Sequence, residues 1–156
     1  MAYVCNDAFD KHDFPTGIYI AALRKTNWRV SGFGIKRRKA NDFNEVIVKI
    51  REKDSPVIVV HYCLEPDYWR YSNRGFGKKD AFLDCRLVMV MINELRNRGS
   101  ESVIVVPTEI SLPSFYAKDY IEKGADAVLK IKDFSPFDFV DEITRLARIK
   151  ERNNLF

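Results

Sequence analysis

The chain has 156 residues, of which 46% are hydrophobic and 31% are charged, and its net charge is +4. This length suits one domain, over residues 1–156, that buries a core without metal or disulfide staples, and the composition excludes disordered and fibrous proteins. Because no apolar run approaches the roughly 20 residues of a membrane span and the first residues lack a signal-peptide pattern, we expect a cytoplasmic protein without membrane contact.

Runs of β-branched residues predict strands that are buried on both faces, and segments with apolar residues at helical spacing separate these runs. In chain order the predicted strands are Ala2–Cys5, Arg29–Gly32, Val57–His61, Val103–Val106 and Ala127–Ile131. The predicted helices are Gly17–Thr26, Asp42–Lys53, Ala81–Arg98, Pro113–Lys123 and Pro136–Lys150. Gly99 and Gly124 lie where two of these helices should end.

Five such strand–helix units predict a flavodoxin-like, doubly wound, five-stranded parallel sheet in three α/β/α layers, since right-handed crossovers place helices on both faces. In this fold a ligand binds outside the carboxyl ends of the strands, where the strand order reverses. The loops that we expect at this edge are Asn6–Thr16, His61–Asp80, Pro107–Leu112 and Lys132–Ser135.

The three cysteines are an odd number and form no Cys-x-x-Cys pair, so we expect reduced thiols and no cysteine zinc site. His61 could combine with Cys5 and Cys63 in a metal set, but no fourth ligand is suitably spaced. A partly buried histidine is the more common alternative for His61.

The first loop brings an imidazole and carboxylates together. Asp10 and Asp13 flank His12, and a histidine that binds a metal usually donates its second ring N–H to a carboxylate. This loop predicts a metal ligand at His12, with a solvated acidic loop as the plain alternative.

The segment Asp10-Lys11-His12, followed by Gly17–Val30, resembles the start of the cobalamin-binding domain of methylmalonyl-CoA mutase and related corrinoid proteins. The resemblance implies that His12 is the lower axial ligand of cobalt and that Asp10 is its hydrogen-bonded partner. It also implies a cofactor carrier that lacks a complete active site, so that any enzyme activity, as the small subunit of a corrinoid-dependent mutase, would need a larger catalytic partner.

Later motifs of the corrinoid family are replaced by bulkier residues. Its Ser-x-Leu motif falls on Tyr62-Cys63-Leu64, its Gly-Gly motif on Pro107-Thr108, and the glycine of its first motif on Pro15, two residues before Gly17. We therefore expect a degenerate cofactor site in which Tyr62 fills the crevice that faces His12. The cofactor-binding positions that the resemblance implies are Asp10, His12, Gly17, Tyr62, Leu64, Pro107 and Thr108.

The second half of the chain resembles a response-regulator receiver domain, in which a Lys-Pro dipeptide follows the last strand. Lys132–Pro136 is similar to that segment, Asn6-Asp7 would stand for the acidic pair after the first strand, and Thr108 for the switch hydroxyl. Tyr62 occupies the position of the phosphoacceptor aspartate, four residues before Pro66. The resemblance implies a signalling or interaction domain without phosphorylation chemistry, and a signalling partner.

The loop Glu65–Lys79 interleaves aromatic with basic residues, which suits either stacking on a ligand or contact with a protein, including a second copy in a homodimer. Together with the basic run Lys36–Lys39, it leaves a third hypothesis open, in which the crevice binds a phosphorylated small molecule. We do not expect a nucleic-acid partner, because a mild net charge with two short basic stretches is more typical of solvated loops.

Overall fold

The computed structural model describes residues 1–6, 16–26, 28–35, 40–61, 78–108 and 114–154. Its strands are β1 (Ala2–Asn6), β2 (Ser31–Ile35), β3 (Val57–Val60), β4 (Val103–Thr108) and β5 (Ala127–Lys130). Its α-helices are α1 (Thr16–Arg24), α2 (Ala40–Lys53), α3 (Lys78–Asn97), α4 (Ser114–Lys123) and α5 (Pro136–Asn154), and a 3-10 turn covers Ile131–Asp133.

The five strands form one parallel sheet in the order β2-β1-β3-β4-β5. The chain passes from β1 to β2 on one side and then returns to β3 on the other side, so the strand order reverses between β1 and β3. The flavodoxin-like doubly wound sheet predicted from the alternating pattern is confirmed, and the reversal fixes where its ligand crevice should lie.

Alternation along the central strands separates two cores. Ile58 and Val60 belong to the core under α2, α3 and α4, whereas Val57 and Val59 belong to the core under α1 and α5. All four residues of β3 are fully buried, because a central parallel strand is covered by helices on both faces. The three predicted layers are thus present.

Helix ends follow the signals in the sequence. Gly99, two residues after α3, and Gly124, directly after α4, adopt φ angles of 84° and 120°, in a region that glycine reaches without steric cost. At the start of α5, the Ser135 hydroxyl accepts a hydrogen bond from the Asp138 backbone N–H at 3.1 Å. Pro136 then occupies the first helical position, where its missing N–H costs nothing.

Two predicted boundaries are wrong in ways that affect the site. The second strand covers Ser31–Ile35 and not Arg29–Gly32, because its pairing with β1 sets Ala2 opposite Ser31. Pro107 and Thr108 were expected in a loop but are the last two residues of β4, opposite Leu129 and the following residue of β5. Pairing with a neighbouring strand overrides the breaking tendency of proline in this position.

The amino-terminal edge of the sheet is closed by a polar cluster around Arg96. This guanidinium donates to the backbone carbonyl oxygens of Ser100, Ser102 and Gly124 at 2.8–2.9 Å and pairs with Asp126. Asp126 also accepts a hydrogen bond from the Ile104 backbone N–H at 2.8 Å. The cluster therefore ties the end of α3 to the starts of β4 and β5.

None of the helices in the described ranges is long and apolar enough to span a bilayer.

Candidate functional site

The candidate site lies at the carboxyl ends of β1 and β3, where the strand order reverses. Asn6 ends β1, and His61 directly follows β3, with its backbone N–H donating to the Val4 carbonyl at 2.9 Å. Only 4% of His61 is exposed to solvent. The imidazole is therefore covered from the solvent, more fully than the partly buried histidine that the sequence predicts.

Thr108 ends β4 on the same edge, and 2% of it is exposed. Its hydroxyl lies 3.5 Å from the Leu129 carbonyl oxygen, which is at the long limit of a hydrogen bond. The hydroxyl thus points along the sheet toward β5, within the paired part of the strand.

Tyr19 connects α1 to the segment that follows β5, and no motif in the sequence indicated this role. Its hydroxyl lies 2.8 Å from the Ile131 carbonyl oxygen and also within hydrogen-bonding reach of the Phe134 carbonyl oxygen. Its ring packs edge-on against Phe139, with centroids 5.2 Å apart. Burial raises the pKa of Tyr19, because the phenolate would lose its hydration. Tyr19 thereby fixes the turn that carries Lys132.

The structure places three of the seven predicted cofactor-binding residues. Gly17 is the second residue of α1, and Pro107 and Thr108 are buried in β4. The other four, Asp10, His12, Tyr62 and Leu64, lie outside the described residues, as do Lys36–Lys39 and Glu65–Gly77. Cobalt ligation by His12, the filling of the crevice by Tyr62 and the anion-binding hypothesis stay predictions.

No three His, Cys, Asp or Glu side chains within the described ranges converge on a point that could hold a metal ion. The proposed set of Cys5, His61 and Cys63 includes one residue outside the described ranges. At the end of β4, Pro107 and Thr108 are buried within the strand.

No protein-family model matches this sequence, and the search of curated proteins finds no match either. Solved structures do match over nearly the whole length. A CheY-like response regulator receiver domain protein from Methanospirillum hungatei JF-1 has a TM-score of 0.64 and 11% identity, covering 97% of this chain and 96% of that chain. This chain has the fold of a receiver domain.

Two further similar structures carry related names. A two-component response regulator of the LuxR family from Aurantimonas sp. SI85-9A1 has a TM-score of 0.59 and 16% identity, covering 94% of this chain and 84% of that chain. A DNA-binding response regulator of the LuxR family from Staphylococcus aureus has a TM-score of 0.55 and 11% identity, covering 94% and 97%. The receiver resemblance is therefore supported at the level of the fold, and none of these matches supports the corrinoid resemblance.

Proposed function

We propose that this chain is a receiver-like interaction domain that acts by presenting a protein-binding surface and performs no phosphoryl transfer. The proposal depends on the residue composition of β3 and of the segment that follows it. The sequence contains no Asp or Glu between Asp54, which precedes β3, and Glu65. An acyl phosphate requires a carboxylate nucleophile, so the position at which a receiver domain is phosphorylated has none here.

The neighbouring nucleophile does not replace the missing carboxylate. The imidazole of His61 is a chemically competent phosphoryl acceptor, but 4% exposure leaves no room for a phosphodonor to approach it. The Thr108 hydroxyl is buried and directed to the Leu129 carbonyl, which leaves it poorly placed to contact a phosphoryl group above the edge. The burial of His61 and the direction of the Thr108 hydroxyl both favour a function in protein binding over one in phosphoryl transfer.

The names of the similar structures support a signalling context for this proposal. Two of them are response regulators of the LuxR family. We accordingly expect the partner of this chain to be a protein of a signalling system.

Treatment with a small phosphodonor tests the proposal directly. The protein is incubated with acetyl phosphate and Mg²⁺, and separately with beryllofluoride and Mg²⁺, and followed by intact mass and by amide NMR. We expect no phosphoryl adduct and no amide shift beyond that caused by Mg²⁺ alone. A phosphoryl adduct, with shifts at Asp7 and Lys132, would contradict the proposal.

The matched variant is Tyr62→Asp, which introduces a carboxylate at the position that the receiver resemblance gives to the phosphoacceptor. Labelling of this variant, with none of the unmodified chain, would locate the missing group at residue 62. A phosphorylatable receiver domain treated in parallel shows that the reagents are active.

A further inference from the structure

A small cavity lies at the amino-terminal edge of the sheet, at the opposite end of the strands from the candidate site. It has a volume of about 210 Å³ and lies between the starts of β3 and β4 and the last turns of α5. Three segments of the chain line it, through Ser55, Pro56, Ser102, Val103, Ala147 and Lys150. Lys150 thus brings a primary amine to the lining of this cavity.

The Lys150 amine lies beside the Arg96 cluster but is poorly stabilised as a cation. Its Nζ donates to the Ser102 carbonyl oxygen at 3.0 Å and lies 3.4 Å from Asp126 Oδ2. That same oxygen already accepts from Arg96 Nη2 at 2.9 Å and from the Ile104 backbone N–H at 2.8 Å. Because one carboxylate oxygen has two lone pairs, the two shorter bonds leave Lys150 with a weak contact to this charge.

The uncharged form of Lys150 balances the charge of this cluster. Arg96 and Lys150 together bring two positive charges to the Asp126 carboxylate. Only 26% of the Lys150 side chain is exposed, and burial is the main cause that lowers the pKa of Lys150. Asp126 and Glu101 act against this shift, whereas the Arg96 charge adds to it. A lysine that is desolvated beside another cation is an activated nucleophile.

We propose that Lys150 is a carbonyl-modification site, at which its amine forms an imine with a small neutral aldehyde that enters the cavity. The nitrogen lone pair attacks the carbonyl carbon, and the oxygen takes up a proton that the nitrogen releases. The resulting carbinolamine loses its hydroxyl group, together with the last proton on nitrogen, as water. Each imine therefore releases one water molecule, and the step consumes no oxidant or reductant.

The cavity sets the class of aldehyde. Its volume of about 210 Å³ is below the roughly 300–1,000 Å³ of sites for drug-sized ligands, so it suits a short carbon chain. Three exposed carboxylates also line it, and they repel a negatively charged aldehyde; they belong to Asp54, Glu101 and Glu151. An uncharged aliphatic aldehyde fits both limits.

Reductive trapping in the full chain tests the site. The protein is treated with propionaldehyde and sodium cyanoborohydride, which reduces an imine to a stable propylamine, and its proteolytic peptides are mapped by mass spectrometry. Lys49 is the matched control within the same molecule, because it is exposed on α2, on the other side of the sheet from α5. At neutral pH we expect Lys150 to be labelled at least about tenfold faster than Lys49. Labelling of Lys150 should also begin at a lower pH than labelling of Lys49.

Two further aldehydes separate the effect of the cavity from simple amine reactivity. Glyoxylate carries a negative charge and naphthaldehyde is bulky, so with each of them the preference for Lys150 over Lys49 should be lost. Lys150→Arg keeps the positive charge beside Ser102 and should remove the fast-labelled peptide. Far-ultraviolet circular dichroism checks that this variant is folded.

Equal labelling rates at Lys150 and Lys49 would overturn the proposal. It would also be overturned by a preference for Lys150 that all three aldehydes share, because the cavity would then have no part in the reaction. The proposal concerns the edge of the sheet opposite to the one considered for phosphoryl transfer. None of these outcomes changes the phosphodonor result, so the two proposals fail separately.

Discussion

The Arg96 guanidinium meets the Asp126 carboxylate at 2.9 Å, and it is the same guanidinium that donates to three backbone carbonyls at the amino edge of the sheet. Only 21% of the Arg96 side chain is exposed. Loss of Arg96 leaves the part-buried carbonyl oxygens of Ser100 and Gly124 without this donor, whereas the Ser102 carbonyl keeps a hydrogen bond from Lys150. This should cost more than the loss of one surface ion pair.

We expect Arg96→Met to lower the free energy of unfolding by on the order of 3 kcal/mol, measured by urea denaturation. Arg98→Met is the matched control, because Arg98 pairs with Glu94 at the surface, where both side chains are more than a third exposed. Its cost should stay within about 0.5 kcal/mol. Equal costs for the two variants would show that the carbonyl contacts of Arg96 contribute nothing.

Gly124→Ala should destabilise the protein more than Gly99→Ala. Both glycines have positive φ, so each alanine carries a backbone strain of roughly 1–3 kcal/mol. At Gly124 a Cβ atom would also come within 2.5 Å of Arg96 Cγ, whereas at Gly99 the nearest atom is Arg51 Nη2, at 3.8 Å. Thermal unfolding of the pair measures the difference, and a larger loss for Gly99→Ala would contradict it.

The sequence predicts most of this fold because its strongest signals are local. Val57–Val60 and Val103–Val106 consist of β-branched residues, so these short segments by themselves predict strands. The clear amphipathic period of α5 predicts a helix in the same way. The β2 boundaries do not follow from a short segment, since Gly32 and Gly34 weaken the strand pattern and pairing with β1 decides the register. Pairing with β5 likewise places Pro107 and Thr108 in β4, which the local pattern does not indicate.

The candidate site is harder to predict because its contacts join distant parts of the chain. The Tyr19 hydroxyl reaches a carbonyl 112 positions later, and the Thr108 hydroxyl lies near a carbonyl 21 positions later. Neither contact leaves a periodic trace in the sequence. The chemistry assigned to His12 and Tyr62 came from a family resemblance, and it stays a prediction.

Alkaline pH should destabilise the protein partly through Tyr19. Its folded-state pKa is raised above the ordinary value of 10.0 by burial, so the unfolded chain ionises first. The stability that this group contributes is complete below pH 10 and declines as the pH rises from there toward the folded-state pKa.

Tyr19→Phe isolates this effect from the other tyrosines. At neutral pH it should cost about 1 kcal/mol, because the hydrogen bond is lost and the ring packing on Phe139 is kept. Unfolding free energies from pH 7 to pH 11 should then converge for the two proteins, since the variant has no phenol at residue 19 to ionise. If the unfolding free energies of the two proteins stay equally far apart from pH 7 to pH 11, ionisation of Tyr19 does not contribute to the loss of stability.

Hydroxocobalamin provides the decisive test of the corrinoid hypothesis. The corrinoid resemblance predicts a spectral shift, whereas the proposed function predicts that the protein leaves the visible spectrum of the cofactor unaltered. His12→Ala should then behave identically. A spectral shift that His12→Ala abolishes would establish the imidazole as a cobalt ligand and reject the proposal of a purely surface-based domain.

Three hydrogen bonds connect helix α5 and the turn before it to the rest of the domain. Before its first turn, the Tyr19 hydroxyl holds the Ile131 carbonyl; at its middle, Trp28 Nε1 donates to the Thr144 hydroxyl at 3.1 Å; and near its end, Lys150 donates to the Ser102 carbonyl at 3.0 Å. A helix held at three points keeps one orientation before any encounter. Association through α5 still costs translational, rotational and side-chain entropy, but it requires no ordering of the helix itself, and this preorganisation favours binding.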